Sequence, residues 1–340
     1  MSSSTILQLD HFSKCFRSNW TFRAIPAVTD VSLEVYRGES FGFLGHNGAG
    51  KTTTMKCVTG LLRNTSGRIL LDGRELTTSS QRSLLGYLPE LPYFYDHLSV
   101  QETLEFFACL YGLRGHDKAT RVTHTLELVK LADRKKNRVH TLSKGLQQRL
   151  GLAQAIIHRP ELLLLDEPFS GLDPIGRKDV REILLDLKQS GTTIFMSSHI
   201  LSDVEELCDR VAIMARGTLR SVFSLREAPQ LFGQMFELAY TDVRDDSSSA
   251  AMISSLAQSL GEKPTAHGPV SVAYFDDYAK AERALHELTL HGARVLEFRS
   301  VGLSLEDIFI SITTGAAQNA PAASPARVPG GGKPGDVTWQ

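Results

Sequence analysis

Residues 45–52 read Gly-His-Asn-Gly-Ala-Gly-Lys-Thr and fit the phosphate-binding pattern G-x-x-x-x-G-K-[S/T]. A short apolar run at residues 40–44 (Ser-Phe-Gly-Phe-Leu) precedes the loop and predicts a buried strand. Residues 52–61 follow it and predict a helix. Strand, glycine-rich loop and helix in this order are the context that the pattern requires. The stretch therefore predicts an α/β fold built around a nucleotide-binding loop.

The residue types of this loop suit the binding of a polyphosphate. Glycines let backbone N–H groups approach phosphate oxygens where side chains would be in the way. We expect Lys51 to reach the β- and γ-phosphates and the Thr52 hydroxyl to ligate Mg²⁺. The predicted binding residues of this segment are Gly45, His46, Asn47, Gly48, Ala49, Gly50, Lys51, Thr52 and Thr53.

Two adjacent carboxylates follow a second apolar run. Residues 161–168 read Glu-Leu-Leu-Leu-Leu-Asp-Glu-Pro, which is typical of a strand buried on both faces of a parallel sheet. Open α/β sheets bind ligands at the carboxyl ends of their strands, so both carboxylates are expected at the nucleotide. We assign Asp166 to Mg²⁺ and Glu167 to the general base that orients and deprotonates the attacking water.

A turn and another strand follow the carboxylates. Residues 170–174 (Ser-Gly-Leu-Asp-Pro) predict a tight turn that leads into a helix. Residues 192–198 (Thr-Thr-Ile-Phe-Met-Ser-Ser) predict a strand with His199 at its end. A single histidine is more often structural, but its place in this order of segments favours a contact with the γ-phosphate.

Residues 142–150 (Leu-Ser-Lys-Gly-Leu-Gln-Gln-Arg-Leu) predict the start of a helix. Ser143 is a suitable cap, and Gly145 permits close approach of another backbone. A helix N-terminus leaves about four N–H groups without partners and carries a partial positive charge. The segment is therefore a potential anion site, and an ordinary capped surface helix is the alternative.

These five segments, in their order along the chain, resemble the ATP-binding-cassette (ABC) ATPases over residues 5–222. The resemblance implies ATP and Mg²⁺ as ligands and places Asp173 of the 170–174 turn at the nucleotide. It implies a head-to-tail dimer, a homodimer by expectation, in which Ser143 and Gly145 face the γ-phosphate of ATP bound to the other subunit. It also implies a transmembrane permease and a peripheral position on the cytoplasmic face of the inner or plasma membrane. The sequence after residue 224 looks similar to the C-terminal extension of many ABC ATPases that pair with separate export permeases, which implies a separately encoded permease and export as the direction of transport.

Three departures from the usual family pattern lie near these motifs. Lys144 replaces a glycine and is either solvated or adds positive charge near the phosphate. Leu146 replaces a glutamine whose contacts are lost. Glu90 replaces the glutamine that binds Mg²⁺ and the attacking water and links the site to the transport partner. A carboxylate can also coordinate the metal, so Glu90 is predicted as a nucleotide-site and metal residue.

An aromatic side chain upstream of the loop is expected to stack on adenine, by the same resemblance. Phe16 matches best, and Trp20 and Phe22 are alternatives. The aromatic segment 92–95 (Pro-Tyr-Phe-Tyr) follows Glu90. It fits either core packing or a groove that receives a helix of a partner.

The fold class expected is α/β, a P-loop NTPase (RecA-like) core with an antiparallel β subdomain, a helical insert and a small C-terminal α+β domain. The antiparallel part is predicted at residues 5–37 with 69–76. In the C-terminal part, strands are predicted at 234–240, 269–275 and 294–298, and helices near 248–260 and 276–290. The predicted domains are 5–224 (ATPase, with the insert at about 92–150), 225–315 (accessory) and 316–340 (disordered tail).

Bulk composition argues against several classes of function. The 37 basic and 38 acidic residues give a net charge of −1, so no nucleic-acid partner is expected. The four cysteines lack metal-ligand spacing and indicate reduced thiols. No run approaches the roughly 18 apolar residues that a membrane helix needs. A single-cassette ATPase acting on ribosomes or DNA, and a nucleotide-dependent regulator that barely hydrolyses ATP, remain as alternatives to the transporter subunit.

Overall fold

The computed structural model describes residues 4–17, 23–77, 79–232, 234–241, 265–267, 270–275, 277–290, 292–302 and 304–314. These fall into two compact units, which are described separately. The first contains residues up to His199 together with Ala212–Val222, and the second contains Ile200–Val211 and the described residues from Phe223 onward. Trp20, Phe22, the helix predicted near 248–260 and the tail 316–340 lie outside the described residues.

The strands up to residue 224 form two sheets. They are β1 (Thr5–Arg17), β2 (Ala24–Tyr36), β3 (Ser40–Leu44), β4 (Ser66–Leu71), β5 (Arg74–Glu75), β6 (Leu85–Leu88), β7 (Leu162–Asp166), β8 (Thr193–Ser198), β9 (Arg210–Ala215) and β10 (Thr218–Ser224). One sheet has the order β2-β1-β4-β5, and its pairs β1–β2, β1–β4 and β4–β5 are antiparallel. This confirms the antiparallel part predicted at 5–37 and 69–76.

The other sheet has the order β10-β9-β3-β8-β7-β6. Strands β3, β8, β7 and β6 pair in parallel, and every residue of β3, β7 and β8 is buried. The apolar runs that predicted these strands reflect burial on both sheet faces. The register sets Leu44 opposite Ser198 and Asp166 opposite Ser197. The ends of β3, β7 and β8 therefore bring residues far apart in sequence to one edge.

Seven helices up to residue 207 connect or follow these strands in the described ranges. They are α1 (Lys51–Val58), α2 (Ser79–Arg82), α3 (Val100–Leu110), α4 (Gly115–Leu128), α5 (Lys144–Ile156), α6 (Pro174–Gln189) and α7 (Leu201–Leu207). The helix predicted at 52–61 corresponds to α1, which already ends at Val58. Gly60, a poor helix former, lies two residues further along the chain. Helices α3, α4 and α5 occupy the segment predicted as a helical insert.

The helix starts follow local capping chemistry. Ser99 and Glu102 form a reciprocal capping box at the start of α3. The Ser143 hydroxyl accepts a hydrogen bond from the Leu146 N–H at the start of α5. The Asp173 carboxylate accepts from the Gly176 N–H, and Pro174 occupies the first position of α6.

The main apolar core of the first unit joins the two sheets and α1. Phe12 of β1, Val35 of β2, Phe41 of β3, Met55 of α1 and Phe195 of β8 are fully buried in it. The Phe41 and Phe195 rings stack with centroids 5.7 Å apart. This packing holds α1, which follows the phosphate loop, against the strands that end at the carboxylates.

The second unit is a small α+β structure. Its elements after residue 224 are α8 (Ala228–Phe232), β11 (Gln234–Thr241), β12 (Thr265–His267), β13 (Val270–Phe275), α9 (Tyr278–Leu290), β14 (Arg294–Gly302) and α10 (Leu305–Thr314). The strands form an antiparallel sheet of order β12-β13-β11-β14. Leu238, Phe275, Ala281 and Leu288 form the core between sheet and α9. The three predicted strands and the helix at 276–290 are confirmed.

Among the described residues, no helix combines the length and the apolar character needed to cross a membrane.

Candidate functional site

The phosphate loop connects β3 to the first turn of α1. Gly50 precedes α1 with φ of 102°, a left-handed conformation that favours glycine. A Cβ at this position would lie 2.7 Å from the Ala27 carbonyl oxygen, so the close approach of β2 also requires glycine. No side chain caps the start of α1 in the described structure. The N–H groups of its first turn are thus suited to an anion.

Lys51 lies at the centre of the site and is buried. Its ammonium donates to the Gly45 carbonyl oxygen over 2.5 Å and lies 3.2 Å from Glu167 Oε1. The side chains of Lys51 and Glu167 are only 5% and 8% exposed, so their charges interact with little screening by water. This is the cation that the sequence assigned to the β- and γ-phosphates.

Glu167 is held by its backbone in a conformation that is rare for a residue with a side chain. Its φ is 51°. Its N–H donates to the backbone oxygen and to Oγ of Ser197, at 3.2 and 3.1 Å, and its carbonyl accepts from the Ser170 N–H. Left-handed backbone at a non-glycine residue costs about 1–3 kcal/mol and persists where surrounding contacts enforce it. These contacts keep the carboxylate between Lys51 and His199.

His199 meets Glu167 through two contacts. Its Nδ1 lies 2.7 Å from Glu167 Oε2, and its backbone N–H donates to the same oxygen over 3.3 Å. The His199 side chain is 47% exposed. The first contact occupies Nδ1, and Nε2 is the nitrogen that can contact a phosphate.

Asp166 is held by two hydroxyl groups. Thr52 Oγ1 donates to Asp166 Oδ1 over 3.0 Å, and Ser197 Oγ donates to the same atom over 2.8 Å. Burial raises the pKa of Asp166, the two hydroxyl hydrogen bonds oppose this, and the nearby charges of Glu167 and Glu90 raise the pKa further. A divalent cation would relieve the cost of a buried negative charge at this position.

The oxygen donors around Asp166 fit Mg²⁺. Within the described part of the chain, no cluster of three or more His, Cys, Asp and Glu side chains could hold a metal ion by itself. Mg²⁺ usually keeps several waters and binds through one or two carboxylates together with the phosphates of a substrate. Thr52 and Asp166, with Glu90 nearby, are the residues that would hold it. When bound, it would neutralise phosphate charge.

Glu90 is tied to the turn at residues 170–174. The Ser170 hydroxyl donates to Glu90 Oε1 over 3.2 Å. The Glu90 charge is also close enough to raise the pKa of Asp166, after burial and the Glu167 charge. The structure thus has Glu90 near the predicted metal residues.

A cavity of about 620 Å³ brings most of these groups together. Of the sequence-predicted residues, His46, Asn47, Gly48, Ala49, Gly50, Lys51, Thr52, Thr53, Glu90, Glu167 and His199 line it. Gly45 and Asp166 do not line the cavity but contact residues that do, because the Gly45 carbonyl accepts from Lys51 and Asp166 accepts from Thr52. The other predicted residues outside the lining are Phe16, Ser143, Gly145 and Asp173.

Sequence reasoning missed several residues of this site. Ser197 joins both carboxylate residues, through Oγ to Asp166 and to the Glu167 N–H. Ser170 lines the cavity and binds Glu90, and Ile25, Pro26 and Ala27 of β2 form part of the wall. Ser197 could have been found from its place two residues before His199 at a strand end. The β2 residues carry no signal of their own, because only sheet packing brings them to the loop.

The start of α5 lies beside the turn at residues 170–174 of the same chain. A Cβ on Gly171 would lie 2.1 Å from Lys144 Nζ, so the Lys144 ammonium covers this glycine. Within the described ranges, Gly176 Cα, at 3.8 Å, is the only atom within 4 Å of a Cβ built on Gly145. Ser143 is exposed. The assignment of Ser143, Gly145 and Asp173 to nucleotide on another subunit stays a prediction.

Phe16 lies in β1 opposite Ile25 of β2. Its side chain is 39% exposed, and the Lys14 ammonium lies 5.1 Å from its ring centroid. Ile25 lines the cavity but Phe16 does not. The stacking role of Phe16 also stays a prediction.

Asp166→Asn is expected to stabilise the protein and to abolish Mg²⁺-dependent hydrolysis. Because burial raises the pKa of Asp166, its ionised form is unfavourable in the folded state, and a neutral amide avoids this cost. Without added nucleotide or Mg²⁺, we expect Tm at neutral pH to rise by about 2 °C or more. The gain should shrink in acid, where the wild-type carboxyl becomes protonated. Thermal unfolding from pH 4 to 8 measures this, and a lower Tm of the variant at neutral pH would contradict it.

Comparison with known proteins identifies relatives of this chain. The family model described as "ABC transporter" matches residues 28–170. An ABC transporter ATP-binding protein of Synechocystis sp. is 39% identical over 310 residues, which cover 90% of this chain and 84% of that protein. The bacitracin transport ATP-binding protein BcrA of Bacillus licheniformis is 40% identical over 64% of this chain and 69% of its own.

A solved structure shares the fold. It is a dimeric ATP-binding cassette in a post-hydrolysis state, bound to ADP and Pi. Its TM-score is 0.60 at 21% identity, and the match covers 65% of this chain and 99% of that one. The 39% identity over 90% of its length shows that this chain belongs to the ABC transporter ATP-binding protein family, as the ATP-binding ATPase subunit of an ABC transporter.

Proposed function

We propose that this chain hydrolyses ATP within a homodimer and thereby drives a separately encoded membrane permease, for export. The observation that carries the hydrolytic part is the contact of Glu167 with both Lys51 and His199 in one cavity. A cation for the phosphates and a residue that orients the attacking water are recurring parts of sites that hydrolyse nucleoside triphosphates, and the imidazole adds a further contact for the γ-phosphate.

In this proposal each residue has a distinct task. Lys51 binds the β- and γ-phosphates, and His199 Nε2 contacts the γ-phosphate. Glu167 accepts the proton of the attacking water, and its contact with His199 orients it. Asp166, Thr52 and Glu90 hold Mg²⁺ beside the phosphates. Asp166 is the poorer base, because two hydroxyl groups already donate to its Oδ1.

The dimer would complete the site. Ser143 is exposed at the start of α5 and lies outside the lining of the cavity of its own chain. A helix start with a serine cap and a glycine suits the γ-phosphate of a nucleotide bound to a second copy. The solved relative with the same fold is a dimer. Head-to-tail pairing gives two equivalent sites by two-fold symmetry.

An exposed apolar surface next to Glu90 supports docking of a permease. Leu91, Tyr93 and Tyr95 are 72%, 89% and 54% exposed, whereas Phe94 between the tyrosines is buried. Phe106 of α3 is 40% exposed and meets the Tyr95 ring edge-on, with centroids 5.9 Å apart. Core packing thus applies to Phe94, whereas the exposed tyrosines support the interpretation of this segment as a partner-binding surface. Clustered exposed aromatic side chains are typical of interaction surfaces.

Docking to a permease through this surface would give the chain a peripheral position at the cytoplasmic face of the inner or plasma membrane. Export is inferred from the resemblance of the sequence after residue 224 to the C-terminal extension of many ABC ATPases that pair with export permeases, and the relative BcrA serves bacitracin transport by its name. No nucleic-acid partner is proposed.

The proposal predicts that the chain co-purifies with a transmembrane protein from membranes of the cells that make it. Tyr93→Asp should abolish this association and keep ATP binding, because it puts a charge into the apolar surface. Leu61→Asp is the matched control, since Leu61 is also an exposed apolar residue at 64%. Mass spectrometry of the purified complex identifies the partner. If the wild-type chain appears only with ribosomes or DNA, the permease assignment is wrong.

A further inference from the structure

A second cavity of the first unit, of about 540 Å³, lies apart from the ATP site. Arg121, His124 and Arg159 line it, together with the apolar side chains of Leu128, Ile156 and Leu187. Cavities of this size with apolar walls and a few polar groups are typical of small-molecule sites. None of the residues given a role in ATP hydrolysis is among its lining.

The cavity lies at the start of a strand whose other end reaches the ATP site. Thr192 lines the cavity and directly precedes β8, and His199 directly follows β8 and lines the ATP site. Since β8 has 6 residues at about 3.3 Å each, about 20 Å separates the two regions. A ligand in this cavity can therefore bind at the same time as ATP.

Two like charges meet at this cavity. Burial lowers the pKa of Arg121, and the nearby positive charge of Arg159 lowers it further. The Arg121 Nη1 donates to the Ile157 carbonyl oxygen over 3.1 Å, which fixes its guanidinium. Arg159 follows the end of α5 with φ of 56°, a conformation unusual for arginine. Both side chains line the cavity, and the charge of Arg159 is close enough to lower the pKa of Arg121.

Neither guanidinium has an acidic partner within the described parts of the chain. The one carboxylate in the lining is Glu161, and Arg37 Nη1 already donates to its Oε2 over 2.5 Å. Arg37 is in turn bound to Asp72. Arg121 is half-buried and Arg159 is exposed, so solvent now compensates their charges, and an anionic ligand could take the place of that water.

We propose that this cavity binds a small organic phosphate, with the phosphate between Arg121 and Arg159 and an apolar body against Leu128, Ile156 and Leu187. Guanidinium groups recognise phosphate oxygens in a planar, two-pronged geometry, and a dianion compensates both charges. His124 at the rim is a further donor. The apolar wall favours an organic ester of phosphate over the free ion, because only the ester buries carbon against it.

The test uses phenyl phosphate as probe, with inorganic phosphate and phenol as reference ligands. Isothermal titration calorimetry of the full chain is done with saturating ADP, so that the phosphate loop is filled. We expect one saturable site per chain for phenyl phosphate and weaker binding of both reference ligands. Arg159→Asn should weaken binding about tenfold or more, since a charged hydrogen-bond donor is lost. Asparagine tolerates the left-handed backbone, so the fold is kept.

Two variants complete the design. Arg159→Lys keeps the charge and should lose less affinity than Arg159→Asn. Arg63→Asn removes an exposed arginine elsewhere and should leave phenyl phosphate binding unchanged. ATP hydrolysis without the probe should be the same in all three variants. Equal affinity of wild type and Arg159→Asn, displacement of the probe by ADP, or absence of saturable binding to the wild-type chain would each overturn the proposal.

Discussion

Glu167→Gln is expected to retain ATP binding and to lower the rate of hydrolysis about 100-fold or more, the contribution of a positioned general base. Glutamine keeps the size of the side chain and an oxygen that can accept from the His199 N–H, at the place where Glu167 Oε2 now accepts it. It cannot take a proton from water. Lys51 loses a charged partner but keeps the Gly45 carbonyl, so phosphate binding persists. ATP should therefore stay bound and trap the closed dimer.

Two measurements check this result. Steady-state phosphate release gives the rate, and size-exclusion chromatography with and without ATP shows whether a dimer accumulates. Glu127→Gln is the matched control, because it makes the same change at an exposed position of α4. Hydrolysis by Glu167→Gln at the wild-type rate would require another base. Loss of ATP binding would indicate that Glu167 mainly positions Lys51.

The core of the site could be predicted from the sequence because its residues occur in contiguous runs. The loop 45–52 and the run 161–168 each combine a buried strand with the reactive residues at its end. Parallel pairing then brings those ends together without further information. The proximity of Lys51, Glu167 and His199 follows from this simple rule.

Other features depend on packing between distant segments. Ser197 holds both carboxylate residues only because β8 pairs with β7 in a register that sets it opposite Asp166. The left-handed backbone of Glu167 is likewise enforced by contacts and not by residue type. The cavity beside Arg121 and Arg159 gave no signal at all, since two single arginines 38 positions apart form no motif in the printed sequence.

The second large effect concerns the role of Ser143 across the dimer. Lys51→Ala should abolish ATP binding to its own loop, because the phosphates lose their nearest cation. In the proposed dimer the start of α5 faces the nucleotide of the other subunit, so Ser143→Arg should disrupt that contact. Ser143 is exposed, so the fold is kept. Each variant alone has both sites of its homodimer damaged. Each should therefore be inactive as an ATPase.

Mixing these two inactive proteins tests the central claim most directly. In a mixed dimer, one site carries both defects, and the other combines an intact loop from one chain with an intact helix start from its partner. Random exchange gives about half mixed dimers, so about a quarter of the wild-type sites return. We expect ATPase activity to reappear on mixing, up to about that fraction, with subunit exchange followed by fluorescent labels. Exchange of the labelled subunits without any return of hydrolysis or of ATP-dependent closure would contradict the account, and Ser143 would then be only the cap of α5.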